Sequence, residues 1–316
     1  MNRLAVLSNA RSRGNRGRAL EGLGLAGVDG LAHAVTYDSD ELPAALDALL
    51  ATRPDALAIN GGDGTTQLLL SQCRRRGEMS RLPPLALLPG GTTNMSARVL
   101  GGGGARRQAL DAFLALRSRP RSQWRLRPHR VLLVDVEGGS RYAGLAFALG
   151  AVVSGVEYWQ RSHARGPCGG SLGLGAAVLR TSWGIVRREP PFDAHTSIRL
   201  GFGEAPAEHA TVSCLLVSAL GQLFLGFRPF WGAGDDPLAC TWLDARPRRF
   251  ARRLPALLWG WEERLATSEG YHSRRSTRVT IELDEPWLLD GEIEREFGRL
   301  VITASAPLPF LELSGP

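Results

Sequence analysis

Two glycine-rich segments, each placed between an apolar run and a helical pattern, constrain the fold of this chain most strongly. The first glycine loop (residues 60–65, Asn-Gly-Gly-Asp-Gly-Thr) follows a strand predicted over residues 56–59. The second glycine loop (residues 89–94, Pro-Gly-Gly-Thr-Thr-Asn) follows a strand predicted over residues 85–88. Repeated strand, loop and helix units indicate a parallel sheet covered by helices. In such a sheet both loops lie at the carboxyl edge of the strands, where ligands bind.

The chemistry of the two glycine loops suits a polyphosphate. Glycine has no Cβ, so the backbone at Gly61, Gly62, Gly64 and Gly91 can approach phosphate oxygens closely. The helix that follows each loop offers free N–H groups and a positive dipole end. Asp63 can orient a metal or a water, or hold the loop, and Thr65 can cap the helix and touch a phosphate. A single loop of this kind is also typical of a tight connection, but two at equivalent positions favour a nucleotide site.

An Arg-, Pro- and Ser-rich stretch at residues 120–128 indicates a hinge. We predict a nucleotide-binding α/β domain over residues 1–125, with a first strand at residues 4–7 and helices at 41–51, 66–76 and 106–116. Residues 126–316 are predicted to form a β-rich domain of antiparallel, sandwich type, whose C-terminal segment packs back on the first domain. Its predicted strands are residues 131–136, 143–149, 196–200, 211–217, 279–283 and 300–303, and its predicted helices are residues 174–186 and 254–265.

Composition excludes several kinds of chemistry. All 38 basic residues are Arg, so the chain has no P-loop lysine, no protein-kinase strand lysine and no Schiff-base lysine. The net charge of +7 favours anionic partners, although a GC-rich genome would produce the same Arg bias. No apolar run reaches the length of a membrane span, and the four cysteines lack metal-ligand spacing. We therefore expect a cytoplasmic protein in a reducing compartment.

Both glycine loops resemble those of the diacylglycerol kinase catalytic-domain family, which includes bacterial lipid kinases and sphingosine kinases. Residues 8–14 are similar to the first loop of that family, with Ala10 where the family has proline, and Asn9 and Ser12 are its expected nucleotide contacts. Thr36 matches a nucleotide-contacting threonine of the family. The resemblance implies that Gly62, Asp63, Gly64, Thr65 and Thr92 hold the ATP phosphates and that Asn94 shapes their site. Gln67, Leu68 and Met95 depart from the family pattern.

An Asp-Gly-Glu segment near the C-terminus allows two interpretations at once. Asp290-Gly291 between alternating apolar residues is a strong signal for a tight hairpin turn. The same family has Asp-Gly-Glu at this point, and the resemblance implies that Glu292 is the general base, with Asp63 the second predicted catalytic residue. A turn presents the next side chain at a fixed angle, so the two interpretations are compatible.

Residues 233–238 resemble the segment that binds a structural Mg²⁺ in this family. The resemblance implies oxygen ligands from Asp236 and from the backbone near Ala233 and Leu238, which would suit a hard cation. Pro237 replaces the glycine of the family, and a solvated Asp-Asp-Pro turn explains the segment equally well.

Five tryptophans lie between residues 231 and 287 of the second domain, and core packing accounts for most of them. The alternative is a membrane-facing edge, because tryptophan prefers the lipid–water interface and arginine attracts anionic head groups. The five are Trp231, Trp242, Trp259, Trp261 and Trp287.

The resemblance implies an ATP- and Mg²⁺-dependent kinase that phosphorylates a lipid hydroxyl, of diacylglycerol or a related lipid. The lipid would enter between the two domains. The protein would reach it at the membrane surface through a peripheral contact. An NAD kinase-like enzyme and a non-catalytic nucleotide- or lipid-binding homologue stay open as alternatives. No nucleic-acid motif supports a nucleic-acid partner. The oligomeric state is open, with a homodimer as one option.

Overall fold

The computed structural model describes residues 1–16, 20–25, 27–91, 94–163, 180, 183–184, 187, 189–190, 192, 195–223 and 226–313. The chain divides into two compact units. The first contains Met1–His129 and Pro307–Pro316, and the second contains Arg130–Ala306. The boundary near the hinge thus lies four residues beyond the position predicted from sequence.

The strands of the described residues, in chain order, are β1 Leu4–Asn9, β2 Leu31–Thr36, β3 Ala56–Gly61, β4 Leu85–Pro89, β5 Leu126–His129, β6 Leu132–Val136, β7 Arg141–Gly144, β8 Ala146–Gly150, β9 Thr196–Phe202, β10 Glu208–Ser218, β11 Leu238–Asp244, β12 Tyr271–Ser276, β13 Arg278–Leu283, β14 Trp287–Leu289, β15 Glu292–Glu294, β16 Gly298–Ala304 and β17 Leu308–Leu311. The α-helices of the same residues are α1 Leu42–Ala51, α2 Asp63–Arg76, α3 Met95–Val99, α4 Arg106–Ala115, α5 Ala151–His163 and α6 Phe250–Trp259.

The first unit is built on a mostly parallel sheet with the strand order β2-β1-β3-β4-β17-β5. Strands β1, β3 and β4 are apolar and almost wholly buried, as expected for central strands that are covered on both faces. Strand β17 runs parallel to β4 and antiparallel to β5, so the end of the chain completes this sheet. The predicted α/β class and the predicted strands at β1, β3 and β4 are confirmed.

Helices α1 and α4 lie close to their predicted positions, but α2 begins at Asp63 rather than at residue 66. Gly62, with extended backbone, is the residue before its first turn, so three residues assigned to the loop belong to the helix.

Helix α6 ends at Trp259 because Gly260 adopts a left-handed conformation, with φ of 65°. The predicted end at residue 265 is therefore wrong. The helix predicted over residues 174–186 lies mostly outside the described residues.

The second unit has an antiparallel sheet of eleven strands among the described residues. Its main order is β15-β14-β8-β10-β9-β13-β16-β6-β7, with β11 beside β10 and β12 beside β11. The core centres on the fully buried indole of Trp287, which stacks on Phe147 at 5.4 Å and meets the edge of Tyr142 at 5.3 Å. The predicted antiparallel second domain is confirmed. The apolar run at residues 143–149 forms two strands rather than one, because the chain turns at Leu145.

No helix in the described ranges has both the length and the apolar character needed to cross a bilayer.

The glycine run after α3 contains one position that tolerates no side chain. A Cβ added to Gly102 would lie 1.9 Å from the carbonyl oxygen of Leu87 in β4. We expect Gly102→Ala to lower the free energy of unfolding by about 1–3 kcal/mol, since backbone must move to relieve the overlap. Urea unfolding measures the change. Gly22→Ala is the matched control, because no atom lies within 4 Å of its added Cβ. Equal midpoints for the two variants would contradict the packing described here.

Candidate active site

The two glycine loops lie in direct backbone contact. A Cβ added to Gly91 would lie 2.4 Å from the Cα of Gly62, and the amide of Gly90 donates to the carbonyl of Gly61 at 3.0 Å. Strands β3 and β4 pair in parallel up to Gly61 and Pro89, so both loops leave the sheet at the same edge. The adjacency expected from the sequence is therefore present in the first unit.

Helix α2 starts at this contact without a side-chain cap. Its N-cap residue is Gly62, which has no side chain to accept a hydrogen bond from the first turn. The helix runs for 14 residues. The first N–H groups of an α-helix have no acceptor within the helix, and its dipole places partial positive charge there. A phosphate oxygen is the kind of acceptor that such a helix start binds.

Asp63 links the two glycine loops. Its carboxylate accepts hydrogen bonds from the backbone amides of Met95, at 3.1 Å, and Ser96, at 2.7 Å. It therefore caps α3, which starts at the end of the second glycine loop. Among the roles that the sequence allows for Asp63, these bonds correspond to holding the loop.

Asn94 closes the second glycine loop from its other end. Its side-chain oxygen accepts from the amide of Gly91 at 2.7 Å, and its side-chain nitrogen donates to the carbonyl of Gly91 at 3.1 Å. Its φ of 48° is left-handed, which asparagine tolerates better than most residues. Thr92, predicted to bind phosphate, lies outside the described residues.

Asn9, at the end of β1, joins the first loop of the chain to α2. Its side-chain nitrogen donates to the Thr65 hydroxyl at 2.9 Å, and its side-chain oxygen accepts from the amide of Arg11 at 2.9 Å. Gly62 holds the N-cap position of α2, so the expectation that Thr65 caps this helix is wrong. Ser12 is half-buried, and its carbonyl accepts from the amide of Asn15 at 2.8 Å.

Thr36 ends β2 beside Asn9 and is buried. Its hydroxyl donates to the carbonyl of Ser8 at 3.5 Å, and its own carbonyl accepts from the amide of Ala10 at 2.9 Å. These bonds fix the end of the edge strand against β1. The nucleotide contact expected of Thr36 stays a prediction.

Asn15 and Arg106 are two site residues that the sequence did not identify. The buried Asn15 donates to the carbonyls of Asn9 at 2.8 Å and Asn60 at 2.9 Å, which joins the ends of β1 and β3. Arg106 donates to the carbonyl of Gly14 and, at 2.5 Å, to the side-chain oxygen of Asn15. Burial lowers the pKa of the Arg106 guanidinium. These two hydrogen bonds place the guanidinium of Arg106 beside the loop that follows β1.

A polar layer of Ser8, His33 and Asn60 crosses the sheet just below these loops. Asn60 donates to the Ser8 hydroxyl at 3.0 Å, and the Nε2 atom of His33 lies 3.0 Å from the same oxygen. Because Asn60 is the donor, the Ser8 hydrogen can point to a neutral His33. Burial lowers the pKa of His33, which favours that neutral form.

Glu292 follows a tight hairpin turn in the second unit. Asp290 and Gly291 have φ of 52° and 92°, typical of a type I′ turn, which confirms the hairpin interpretation. The Asp290 carboxylate accepts from the amides of Leu145 and Ala146 at 2.9 Å and so fastens the turn to β8. Glu292 begins β15 and is exposed, and its carboxylate makes no hydrogen bond or ion pair with the residues that the structure describes.

The predicted structural Mg²⁺ segment leads into β11. Ala233 and Asp236 are exposed, while Leu238 is buried and pairs with Ser276. The carbonyl of Asp236 accepts from the Arg275 guanidinium at 3.2 Å. Within the described ranges, no group of three or more His, Cys, Asp or Glu side chains could hold a metal ion. A site here would depend on backbone carbonyls, and it stays a prediction.

Comparison with known families adds to this geometry. Residues 3–123, which contain all of the loops described for the first unit, match the family model of the diacylglycerol kinase catalytic domain. This segment is thus similar to the diacylglycerol kinase catalytic domain. The matched segment accounts for most of the first unit, and the resemblance predicted from the glycine loops is confirmed. A search of curated proteins gives no match.

Solved structures share the fold of the whole chain. A "putative diacylglycerol kinase" from Bacillus anthracis str. Sterne is 14% identical, with a TM-score of 0.67 over 100% of this chain and 98% of that one. A diacylglycerol kinase from the same organism is 13% identical, with a TM-score of 0.62 over 100% and 97%. At these identities the similarity establishes the fold alone, and the shared fold includes the second unit.

The contact between the two glycine loops generates one prediction. We expect Gly91→Ala to weaken ATP binding at least about tenfold, because the added methyl group pushes the loops apart by displacing Gly62. Gly91 does not have left-handed φ, so alanine suits its own backbone and the effect isolates the contact. Isothermal titration with ATP measures it, with Gly22→Ala as control. Unchanged affinity in Gly91→Ala would show that the close approach does not shape the site.

Asp63 generates a second prediction. Asp63→Ala leaves two amides of α3 without their acceptor, and we expect it to lower the free energy of unfolding by about 1–3 kcal/mol and to weaken ATP binding. Asp63→Asn keeps one acceptor oxygen and is expected to lose less on both measures. Urea unfolding and ATP titration of the two variants provide the comparison. Equal losses of ATP affinity at unchanged stability would instead indicate that the carboxylate contacts the ligand directly.

Proposed function

We propose that this protein is an ATP-dependent kinase that phosphorylates the hydroxyl group of diacylglycerol or a related lipid. One observation carries the proposal: two glycine loops meet backbone to backbone beside the uncapped start of α2, within a segment that matches the diacylglycerol kinase catalytic domain. Phosphoryl transfer depends mainly on positioning and charge stabilisation, which bare backbone amides supply well.

The first unit suits the triphosphate of ATP. The amides at the start of α2, at Gly62, Asp63 and Gly64, would bind phosphate oxygens, and Asn94 would keep the second glycine loop in place for Thr92. Arg106 and Asn15 hold the loop that follows β1, because Arg106 donates to Gly14 and to Asn15. Mg²⁺ would arrive with the nucleotide rather than in a protein cage, since it usually keeps waters and substrate phosphates as ligands. When bound, it would neutralise charge on the phosphates.

Glu292 is the residue that we propose as the general base. It would take the proton from the acceptor hydroxyl as the hydroxyl oxygen forms its bond to the γ-phosphorus and the bond from that phosphorus to the ADP oxygen breaks. The tight turn before it, held by Asp290, limits the directions that its side chain can take. An ordinary carboxylate is sufficient, because a loose transition state demands little basicity.

The decisive experiment follows labelled phosphate from ATP into a lipid extract presented in detergent micelles. We expect transfer by the wild type and a loss of at least about 100-fold in kcat for Glu292→Gln, the usual size of a general-base contribution. Glu204→Gln is the matched control, because Glu204 is an exposed carboxylate of the same unit, with 93% of its side chain accessible. The unfolding midpoints of both variants should equal that of the wild type.

The remaining outcomes identify the alternatives. Formation of NADP from NAD and ATP, without lipid labelling, would indicate an NAD kinase-like enzyme. ATP binding without turnover of any acceptor would indicate a non-catalytic nucleotide-binding protein. Turnover by Glu292→Gln at the wild-type rate would remove Glu292 from the reaction while leaving the kinase activity in place.

A further inference from the structure

Among the five tryptophans between residues 231 and 287, three are buried or half-buried and two are exposed. Trp287 is fully buried, and Trp242 lies between Phe202, at 5.3 Å, and His272, at 4.9 Å. Trp259 and Trp261 are different, because 50% and 40% of their surfaces stay accessible. Core packing therefore explains the buried tryptophans but leaves two large indole rings in solvent.

The fold holds this exposed pair in place. Trp259 ends α6, and Gly260 turns the chain in a left-handed conformation that brings the ring of Trp261 to 6.4 Å from that of Trp259. A Cβ on Gly260 would lie 2.5 Å from the carbonyl of Arg228, so only glycine fits. The ring of Phe227 meets Trp259 edge-on at 5.6 Å. We call Phe227, Trp259 and Trp261 the tryptophan patch.

Charged side chains surround the tryptophan patch. The guanidinium of Arg264 lies 5.0 Å from the ring centre of Trp261, and Arg228 is exposed beside Phe227. Arg252 is exposed two helical turns before Trp259, on the same face of α6. Two acidic residues, Glu262 and Glu263, are also exposed here. The surroundings therefore carry an excess of one positive charge, on a chain whose net charge is +7.

The exposed area of the tryptophan patch limits which kind of partner can bind there. The exposed parts of the two indoles amount to about 200 Å², since a tryptophan buries up to about 250 Å² when fully covered. A stable protein interface takes about 800 Å² from each partner, so the patch alone is too small to hold a second copy. Shallow insertion into a bilayer needs no such area, because tryptophan settles at the lipid–water interface and arginine reaches the head groups.

We propose that the tryptophan patch docks the protein on an anionic lipid bilayer, with Trp259 and Trp261 inserted at the level of the head groups. This inference rests on the proposed function, because a kinase that acts on a membrane lipid must reach it in the bilayer. It adds to that function the surface through which the protein makes contact. The basic side chains Arg228, Arg252 and Arg264 would contact the anionic head groups.

Co-sedimentation with sucrose-loaded vesicles tests the docking surface without nucleotide. The probes are vesicles of phosphatidylcholine with 30 mol% phosphatidylglycerol, so roughly a third of the lipids are anionic. We expect the double variant Trp259→Ala, Trp261→Ala to lower the partition coefficient at least about tenfold. The matched control is Phe297→Ala, which removes another exposed aromatic ring of the same unit, 46% accessible, and should bind as the wild type does. Circular dichroism confirms that both variants are folded.

The outcomes separate this inference from the proposed kinase activity. Vesicle binding that is equal in the wild type and the double variant would overturn the inference, even if both transfer phosphate to lipid in micelles. Vesicle binding that depends on the tryptophan pair would support it, even if no lipid is phosphorylated. Sedimentation velocity tests whether a second copy of this chain occupies the patch instead. A dimer that dissociates in the double variant, with vesicle binding unchanged, would assign the patch to self-association and overturn the membrane proposal.

Discussion

The close backbone contact between Gly62 and Gly91 is the constraint on which the first unit depends. A Cβ on Gly91 would lie 2.4 Å from the Cα of Gly62 and would force the loops apart, while a Cβ on Gly62 would lie 3.2 Å from the Cα of Gly91 and would require a smaller shift. The contact brings the start of α2 beside the start of α3, and it allows one carboxylate, that of Asp63, to cap α3 from α2. The same approach leaves the N-terminus of α2 free of side-chain caps. The packing of the loops and the start of α2 without a side-chain cap thus have a single origin in two residues without a Cβ.

Much of this fold could be predicted from sequence because its central strands are uniformly apolar. Strands such as β1 and β3 are buried on both faces, so their composition identifies them without any partner. Short or polar strands give no such signal. Strand β12 contains His272 and two consecutive arginines, and β14 and β15 have three residues each. These strands exist because neighbouring strands supply their hydrogen bonds, which is information from tertiary structure.

The candidate site shows the same division. Glycines and the Asp290-Gly291 turn could be predicted because their backbone requirements are local. Arg106 and Asn15 could not, since 91 positions separate them and nothing near either residue indicates the other. The role of Asp63 was left open by sequence because a carboxylate in a loop can serve a ligand or the loop itself. Sequence also could not divide the tryptophans into buried and exposed, because Trp259 and Trp287 both lie in apolar surroundings along the chain.

Strand β17 has a consequence for how the protein is made. It lies between β4 and β5, yet the whole of Arg130–Ala306 is synthesised between β5 and β17. At ordinary translation rates this interval lasts roughly 10 to 35 s. Throughout that time the apolar edge of β4 has no neighbour on the side where β17 will pair, and an open strand edge invites association with other chains. Until β17 is synthesised and pairs with β4, this open edge leaves the first unit exposed to such association.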